Sequence, residues 1–405
     1  MGVSVLHIQL EYPNRPVFAG ELVGGHLLLL LTETIKVRNI RLRVYGEERT
    51  HVIEQRHESS ENPHRHHMDQ QHDAQRQMDR PLNSSTETTT VTVDHYGHHI
   101  IVDQTILLFG GAGGLFQAGE YLLEAGRKYA FPFRVQIPFG APASCAFNES
   151  NFVRYVMECV VDRPWAFDYN TSLVLNVQPF IDCNQPQLRS PVVSSEQSHD
   201  CCCCWPFSNG GSIFFNTQID HAGYAAGDTI NFTAEINNQS GSVVRSLTVR
   251  LEQVYRLRTS SGFSQQRSHI LSERVIPISV QANQVFKIDE SVMVPPQTFP
   301  VTFLGRYIDV HYELTFSVDS EGCFGSTVHV RPGMVIGNVS AGVEPPRRRI
   351  EEIKSAPDAQ SVSTAPTMIA TGTGATISKD ASVEVSAPPE SEFWPEDEPP
   401  RYSPS

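Results

Sequence analysis

Apolar and polar residues alternate with a period of two along most of the chain. Between residues 129 and 138 every second side chain is apolar, and the same holds between residues 153 and 161. Successive side chains of a strand point to opposite faces, so both segments are predicted to be β-strands with one face in a core. Pro132 and Pro138 lack the N–H group that a strand ladder uses, which favours an edge or bulged position for the first strand.

The pattern recurs in the second half of the chain with the same spacing. Gly20-Glu21 is followed 17 residues later by the strand-like segment 37–44, and Gly227-Asp228 is followed 17 residues later by the similar segment 244–251. No helical period of useful length appears, and short strands separated by turn residues favour a sandwich over a barrel. The sequence therefore predicts an all-β fold with two copies of one immunoglobulin-like β-sandwich in tandem.

Changes in composition give the expected domain boundaries. We expect a first sandwich over residues 1–182, a linker with a cysteine cluster over 183–208, a second sandwich over 209–340 and a disordered tail over 341–405. Within the first domain, residues from about 56 to 85 are polar and almost free of aliphatic side chains. Such a segment cannot bury enough apolar surface to offset the entropy of ordering, so it is predicted to be a disordered insertion.

The insertion is rich in histidine, which raises the question of a metal site. Nine of the sixteen histidines lie between His51 and His99. His64, His66 and His67 have neither regular helical spacing nor a companion set of cysteine or carboxylate ligands. We therefore predict no metal site and no cofactor.

Charge and motif content exclude several functional classes. The 405 residues carry a net charge of −14, whereas a general nucleic-acid binder shows a basic balance. The longest apolar block, residues 27–31, is far shorter than the roughly 20 residues of a membrane span. Arg154 and the segment 162–165 carry conspicuous charges, but no nucleophile or second acid lies near them in sequence. We predict that this corner holds strand ends together and that the protein has no catalytic residues and is not an enzyme.

The end of the tail carries a short motif with a specific binding chemistry. Pro399, Pro400, Arg401 and Tyr402 form a PPxY sequence. A pair of prolines is already biased towards polyproline II, so it docks on the aromatic groove of a WW domain at small entropic cost, and a second pocket takes the tyrosine. A disordered tail would leave the motif accessible.

Cys201, Cys202, Cys203 and Cys204 are consecutive and are followed by an aromatic residue. Adjacent cysteines do not converge readily on one zinc ion, because tetrahedral sites space their ligands in pairs. Two interpretations stay open. The cluster is a site of reversible palmitoylation that tethers the protein to membranes, or it is the partly buried start of a strand at the domain junction.

Several of these features together resemble one known family. The segments YAFPFRVQIP (129–138) and VRYVMECVVDRPW (153–165), the repeated strand signatures and the PPxY motif are similar to those of the α-arrestins, the arrestin domain-containing proteins. The resemblance implies two arrestin sandwiches packed end to end. The chain departs from the family in two ways. Only one PPxY is present where relatives often have two or more, and the histidine-rich insertion has no obvious counterpart.

The resemblance also implies a function. α-Arrestins are adaptors whose arrestin domains engage membrane cargo such as receptors and transporters, and whose PPxY motifs recruit HECT-type E3 ubiquitin ligases through WW domains. Carried over to this chain, Pro399, Pro400 and Tyr402 would contact the ligase. The expected location is the cytoplasm, with recruitment to the plasma membrane and endosomes through peripheral association.

Three alternatives remain open. One is an arrestin-fold sorting scaffold or signalling regulator that acts without a ubiquitin ligase. A second is a phosphoreceptor-sensing arrestin of the visual or β kind, which needs a buried charged core and a tail that docks back onto the first domain; nothing in the Pro-rich tail resembles such a strand. The third is a redox partner of thioredoxin, which needs a cysteine where this chain has Arg306 after Gly305.

Overall fold

The computed structural model describes residues 2–59, 88–111, 120–199, 211–297, 300–321, 327–345 and 400–403. Most of these residues lie in β-strands, and a single turn of helix occurs between the domains. No helix among the described residues is long and apolar enough to cross a membrane. The all-β prediction is confirmed.

The first domain is a sandwich of two antiparallel sheets. Its strands are β1 (Val3–Leu10), β2 (Val17–Phe18), β3 (Leu22–Leu31), β4 (Ile35–Val37), β5 (Asn39–Ser59), β6 (Thr88–Gly110), β7 (Tyr121–Leu123), β8 (Lys128–Gln136), β9 (Cys145–Ala146), β10 (Phe152–Asp162), β11 (Tyr169–Leu175) and β12 (Val177–Gln178). One sheet has the order β1-β3-β8 and the other β11-β10-β5-β6, with β9 paired to β10. The edge position predicted from the prolines is confirmed, since β8 borders its sheet.

The core of this sandwich is made by the alternating residues that the sequence marks. Phe131, Phe133 and Val135 of β8 face Tyr155 and Met157 of β10, and all five side chains are buried. Burying an aliphatic or aromatic side chain of this size contributes about 1.5–3 kcal/mol. The Tyr155 hydroxyl has a partner as well, because it donates to a backbone carbonyl at 2.8 Å.

The second domain repeats this architecture. It comprises α1 (Pro186–Arg189), β13 (Val192–His199), β14 (Ser212–Ile219), β15 (Gly223–Ala225), β16 (Thr229–Asn238), β17 (Val243–Arg258), β18 (Ser264–Val280), β19 (Gln284–Met293), β20 (Phe303–Leu304), β21 (Ile308–Glu321), β22 (Thr327–Val330) and β23 (Val335–Gly337). The sheets have the orders β13-β14-β16-β19 and β18-β17-β21-β20, with β22 paired to β21. In both domains the central strands that carry the repeated signatures, β5 with β10 and β17 with β21, are antiparallel neighbours.

The internal repeat extends to individual hydrogen bonds. Gly20 and Gly227 occupy equivalent turns with φ of 82° and 90°, a region that favours glycine. Immediately after each glycine an acidic side chain accepts the backbone N–H three residues upstream, at 2.8 Å for Glu21 and at 2.7 Å for Asp228. The two signatures found in sequence therefore mark the same turn in each sandwich.

Two segments that were expected to lack strands contain strand residues. The expected linker 183–208 contains α1 and β13, and β13 pairs with β14 along its whole length as an edge strand of the second sandwich. The expected disordered insertion from 56 begins inside β5, which pairs with β6 as far as Ser59; residues 60–87 lie outside the described residues. Both segments are polar, so apolar alternation does not reveal them. The backbone ladders of β5 with β6 and of β13 with β14 stabilise them instead.

Candidate functional site

A buried carboxylate joins the two domains. Glu48 of β5 has an exposed fraction of 0%. Its Oε1 atom accepts the backbone N–H groups of Tyr307 at 2.7 Å and Ile308 at 2.5 Å, and its Oε2 atom accepts that of Arg306 at 3.2 Å. Hydrogen bonds to an ionised acceptor are among the stronger ones in proteins. One side chain of the first domain therefore binds three consecutive backbone N–H groups of the second.

Glycine is required next to this contact. A Cβ atom on Gly305 would lie 2.5 Å from the carbonyl oxygen of Ile308 and 2.6 Å from Oε1 of Glu48. No side chain fits there without moving the backbone that meets Glu48. The following residue, Arg306, occupies the place where the redox alternative needs a cysteine.

Further contacts extend the junction along the β5–β6 hairpin and onto the loop between β9 and β10. They are a hydrogen bond from Thr50 Oγ1 to the Arg258 carbonyl at 2.6 Å, one from the Ser260 N–H to the Tyr96 carbonyl at 2.9 Å, the stacked rings of His95 and Phe263 at 4.6 Å, and those of Phe147 and Tyr255 at 4.0 Å. Polar and aromatic contacts alternate along this boundary. The β5–β6 hairpin, whose strands flank the histidine-rich insertion, thus forms a surface that the second domain contacts.

Two clefts lie on either side of the loop that precedes β10. One, of about 420 Å³, opens between the domains and includes Phe147, Tyr255 and Arg267. The other, of about 600 Å³, is largely apolar and includes Phe152 and Val174. The sequence does not mark either cleft, because their residues come from strands and loops distant in the chain.

Arg154 takes part in an ion-pair cluster around Glu47, which is 2% exposed. Glu47 lies 2.8 Å from Arg49 and 3.0 Å from Arg154, and it accepts the Tyr45 hydroxyl at 3.1 Å. Burial acts to raise the pKa of the Glu47 carboxyl, but the bonds from Arg49, Tyr45 and Arg154 outweigh it, so the pKa is below its ordinary value. Arg154 therefore stabilises the sheet through its ion pair with the buried carboxylate of Glu47.

Asp162 ties the ends of two strands, as the sequence predicts for this corner. It ion-pairs with Arg38 at 3.2 Å and accepts the Asn39 side-chain amide at 3.2 Å, which joins the end of β10 to the start of β5. The loop that follows presents two aromatic side chains to solvent: Trp165 is 99% exposed and Phe167 is 95% exposed. Sequence reasoning missed this exposure, although the position of both residues between two alternating strands is a signal for it.

The cysteines within the described residues are free thiols held in the protonated state. Burial raises the pKa of Cys145 to about 12 and that of Cys183 to about 11, and burial raises the pKa of Cys159 as well. A thiol with a raised pKa is a poor nucleophile. The cluster of cysteines 201–204 lies outside the described residues, so both interpretations of it stay predictions.

The PPxY motif is in part attached to the first domain. Pro400 and Arg401 are exposed, whereas Tyr402 is half-buried. The Tyr402 backbone N–H donates to the Ser4 carbonyl at 2.8 Å, and the Tyr402 ring meets the ring of Tyr169 edge-on with 5.8 Å between centroids. The expectation of a freely accessible motif is wrong for Tyr402. Pro399 lies outside the described residues.

Family models match both sandwiches. Residues 6–184 match the model described as Arrestin (or S-antigen), N-terminal domain, and residues 209–340 match Arrestin (or S-antigen), C-terminal domain. Together the two ranges cover most of the chain and agree with the internal repeat.

Curated relatives agree with these matches. Arrestin domain-containing protein 4 of Mus musculus is 31% identical over 126 residues, which are 31% of this chain and 29% of that protein. Arrestin domain-containing protein 17 of Caenorhabditis elegans is 22% identical over 331 residues, 81% of this chain and 68% of that protein. Thioredoxin-interacting protein of Sus scrofa is 26% identical over 123 residues, 30% of this chain and 31% of that protein. The chain thus matches under a third of the length of the first and last of these proteins. With two arrestin domains and relatives of this kind, the chain belongs to the arrestin family and is an α-arrestin, an arrestin domain-containing protein.

Proposed function

We propose that this protein is an adaptor that links membrane cargo to HECT-type E3 ubiquitin ligases and so promotes ubiquitin-dependent endocytosis and trafficking. The observation that carries the proposal is the PPRY sequence at residues 399–402 in a chain with two arrestin domains. The two prolines fit the aromatic groove of a WW domain, and Tyr402 fits the adjoining pocket. No catalytic step is assigned to the chain itself.

The arrangement of the domains supports a scaffold role. Glu48 and its three backbone donors hold the sandwiches in one orientation, so a partner that touches both domains meets a preorganised surface. The interdomain cleft and the apolar cleft beside Phe152 are the places where we expect a cytoplasmic segment of cargo to bind.

We also propose that the protein works at the plasma membrane and endosomes through peripheral association. Acylation of cysteines 201–204 would supply one membrane signal, and a single acyl chain gives only reversible attachment. Acyl-exchange labelling of the full chain, compared with a variant in which all four are changed to serine, tests this. Labelling that does not change in the variant would remove these cysteines from the proposal.

One set of binding experiments tests ligase recruitment. An isolated WW domain of a HECT-type ligase should bind the full chain and a synthetic peptide of residues 390–405, and Tyr402→Ala should abolish both interactions. Tyr12→Ala, which removes a tyrosine of the first domain instead of the tyrosine of the motif, should leave binding unchanged. If the peptide does not bind, or Tyr402→Ala has no effect, the sorting scaffold that works without a ligase becomes the better hypothesis.

A further inference from the structure

Two strand edges lie side by side at one border of the first sandwich. Among the described residues, β1 pairs only with β3, and β11 pairs only with β10, so each ends its sheet. These two strands pack against one another and close that side of the core. Open edges offer backbone N–H and C=O groups to any extended segment that can reach them.

A β-bulge makes one backbone group available at this border. The register of β1 against β3 shifts between Val3 and Val5, and Ser4 between them has no partner residue in β3. A bulge leaves its extra residue outside the regular ladder. The Ser4 carbonyl accepts the Tyr402 N–H at 2.8 Å. This main-chain bond holds Tyr402 at the edge of β1, and bonds of the same kind hold extended segments at sheet edges in peptide recognition.

Tyr169, the first residue of β11, supplies the side-chain contact. Its ring meets the Tyr402 ring at 76° between planes, the edge-to-face geometry that aromatic pairs prefer. The Arg163 guanidinium lies 4.3 Å from the centroid of the Tyr169 ring and fixes its position. Gly2 lets the Tyr169 hydroxyl approach, since a Cβ atom there would lie 2.9 Å from it. Tyr402 packs on the edge of the core in this place.

We propose that the slot formed by Ser4 and Tyr169 is an intramolecular docking site for the PPxY tyrosine, and that this slot and a WW domain compete for Tyr402. The competition rests on the proposed function, because it assumes that a WW domain recognises the motif; the docking itself does not. A tyrosine ring cannot lie on Tyr169 and in the pocket of a WW domain together. The free adaptor therefore withholds its own ligase motif.

The length of chain between the second domain and the motif makes such docking feasible. Residues 346–399 separate Pro345 from Pro400, and an extended chain of that length reaches at most about 180 Å. Tethers of this kind give effective concentrations that approach the millimolar range. The hydrogen bond to Ser4, the ring pair with Tyr169 and the partial burial of Tyr402 then act together in one tethered contact. We expect docking to weaken WW binding by about three- to tenfold, which corresponds to a tail that is docked for about two thirds to nine tenths of the time.

Calorimetric affinities of one isolated WW domain test the competition. The peptide of residues 390–405 should bind most tightly and the full chain about three- to tenfold more weakly. Tyr169→Ala in the full chain should restore the affinity of the peptide. Tyr12→Ala is the matched control, because Tyr12 is also a tyrosine of the first domain with an arginine, Arg15, over its ring at 4.8 Å; its affinity should equal that of the unmodified full chain. Equal affinity of the peptide and the unmodified chain, or no gain in Tyr169→Ala, would overturn the proposal.

Hydrogen exchange separates a failure of docking from a failure of the ligase proposal. The Tyr402 amide of the full chain should exchange slowly, and Tyr169→Ala should make it exchange at the rate of the free peptide. Tyr169→Phe, which keeps the ring, should keep the protection and shows that the fold tolerates change at this position. If the peptide does not bind the WW domain, the ligase proposal fails, while a protected Tyr402 amide would still support the docking. An amide of Tyr402 that exchanges in the unmodified chain as fast as in the peptide would refute it.

Discussion

The carboxylate of Glu48 lies 2.5 Å from the backbone nitrogen of Ile308. A buried acceptor in one sandwich is therefore paired with a main-chain donor of the other. The first domain supplies the carboxylate, and the second supplies three N–H groups, two from the loop before β21 and one from the first residue of β21. Because a buried charge that loses its partners is costly, sliding or rotation of the domains is opposed. The contact thereby stabilises one orientation of the two domains relative to each other.

Removing this carboxylate should loosen the junction. Glu48→Ala removes the acceptor of three N–H groups, of which that of Ile308 is buried, and an unsatisfied buried polar group costs about 1–3 kcal/mol. We expect the free energy of unfolding to fall by about 3–5 kcal/mol, the value for breaking a buried charged contact, or the domains to unfold in separate transitions. Denaturant unfolding monitored by circular dichroism and by the fluorescence of the tyrosines, which are buried in both domains, measures both. Glu158→Ala, at an exposed glutamate of β10, is the control and should change the unfolding free energy by less than about 0.5 kcal/mol.

Gly305→Ala tests the same contact without changing any charge. The added Cβ atom would clash with the Ile308 carbonyl oxygen at 2.5 Å and with Glu48, so the loop must move away from its acceptor. We expect a loss of stability similar in direction to that of Glu48→Ala, together with loss of additivity in the double variant, because both changes break one interaction. Fully additive effects would show that Gly305 and Glu48 act independently.

The Glu47 cluster predicts a specific dependence of stability on pH. In the folded state the pKa of Glu47 lies below its ordinary value of 4.5, although burial acts to raise it, because of the hydrogen bonds from Arg49, Tyr45 and Arg154. The unfolded chain therefore takes up the proton first as the pH falls. The stabilisation is complete above about pH 4.5 and is lost as the pH falls through the folded-state pKa.

Thermal unfolding between pH 7 and pH 3 checks this dependence. Glu47→Gln should be less stable than the unmodified chain at pH 7, and the difference should shrink below about pH 4.5 as the carboxyl of the unmodified chain is protonated. Glu158→Gln should show no such convergence. A constant difference between Glu47→Gln and the unmodified chain over the whole range would show that the charge of Glu47 contributes nothing.

What the sequence predicted and what it missed follow from the range of the interactions. Strands with one buried face, such as β8 and β10, reveal themselves because alternation is local, and the repeated turns at Gly20 and Gly227 are local as well. β13 is polar and is held by its neighbour in the sheet, so its pairing leaves no apolar pattern. The same reason hides the outer part of β5, which faces the second domain and its own partner β6.

The candidate sites show the same division. The PPRY sequence is legible because four adjacent residues carry the whole chemistry. Contacts between distant parts of the chain cannot be read from the sequence in this way. Glu48 contacts Ile308, and Tyr402 contacts Ser4, across hundreds of residues. Nothing in the composition near Ser4 indicates that a bulge frees its carbonyl. The tail was therefore expected to be free of the first domain.

The thiols with raised pKa should resist alkylation in the folded protein. Burial raises the pKa of Cys145 to about 12 and that of Cys183 to about 11, so hardly any thiolate exists at pH 8. We expect iodoacetamide to label Cys145, Cys159 and Cys183 only after unfolding in guanidinium, as measured by mass spectrometry of each tryptic peptide. The labelling of the same peptides in denaturant is the internal control. Rapid labelling of Cys145 at pH 8 without denaturant would contradict the raised pKa of its thiol.

Phosphorylation of Tyr402 should abolish recognition by a WW domain. A phosphate adds a charge of about −1.5 to −2 at neutral pH, and a pocket shaped for a neutral phenol offers no compensation for it. The affinity of an isolated WW domain for the peptide of residues 390–405 should fall at least about tenfold on phosphorylation, as measured by calorimetry, since burying an uncompensated charge costs well over 1 kcal/mol. A peptide phosphorylated on Ser403 instead of Tyr402 is the control for charge alone, and it should bind more tightly than the peptide with phosphotyrosine. Undiminished affinity of the phosphotyrosine peptide would mean that the tyrosine pocket does not hold Tyr402, and that the two prolines alone make the contact.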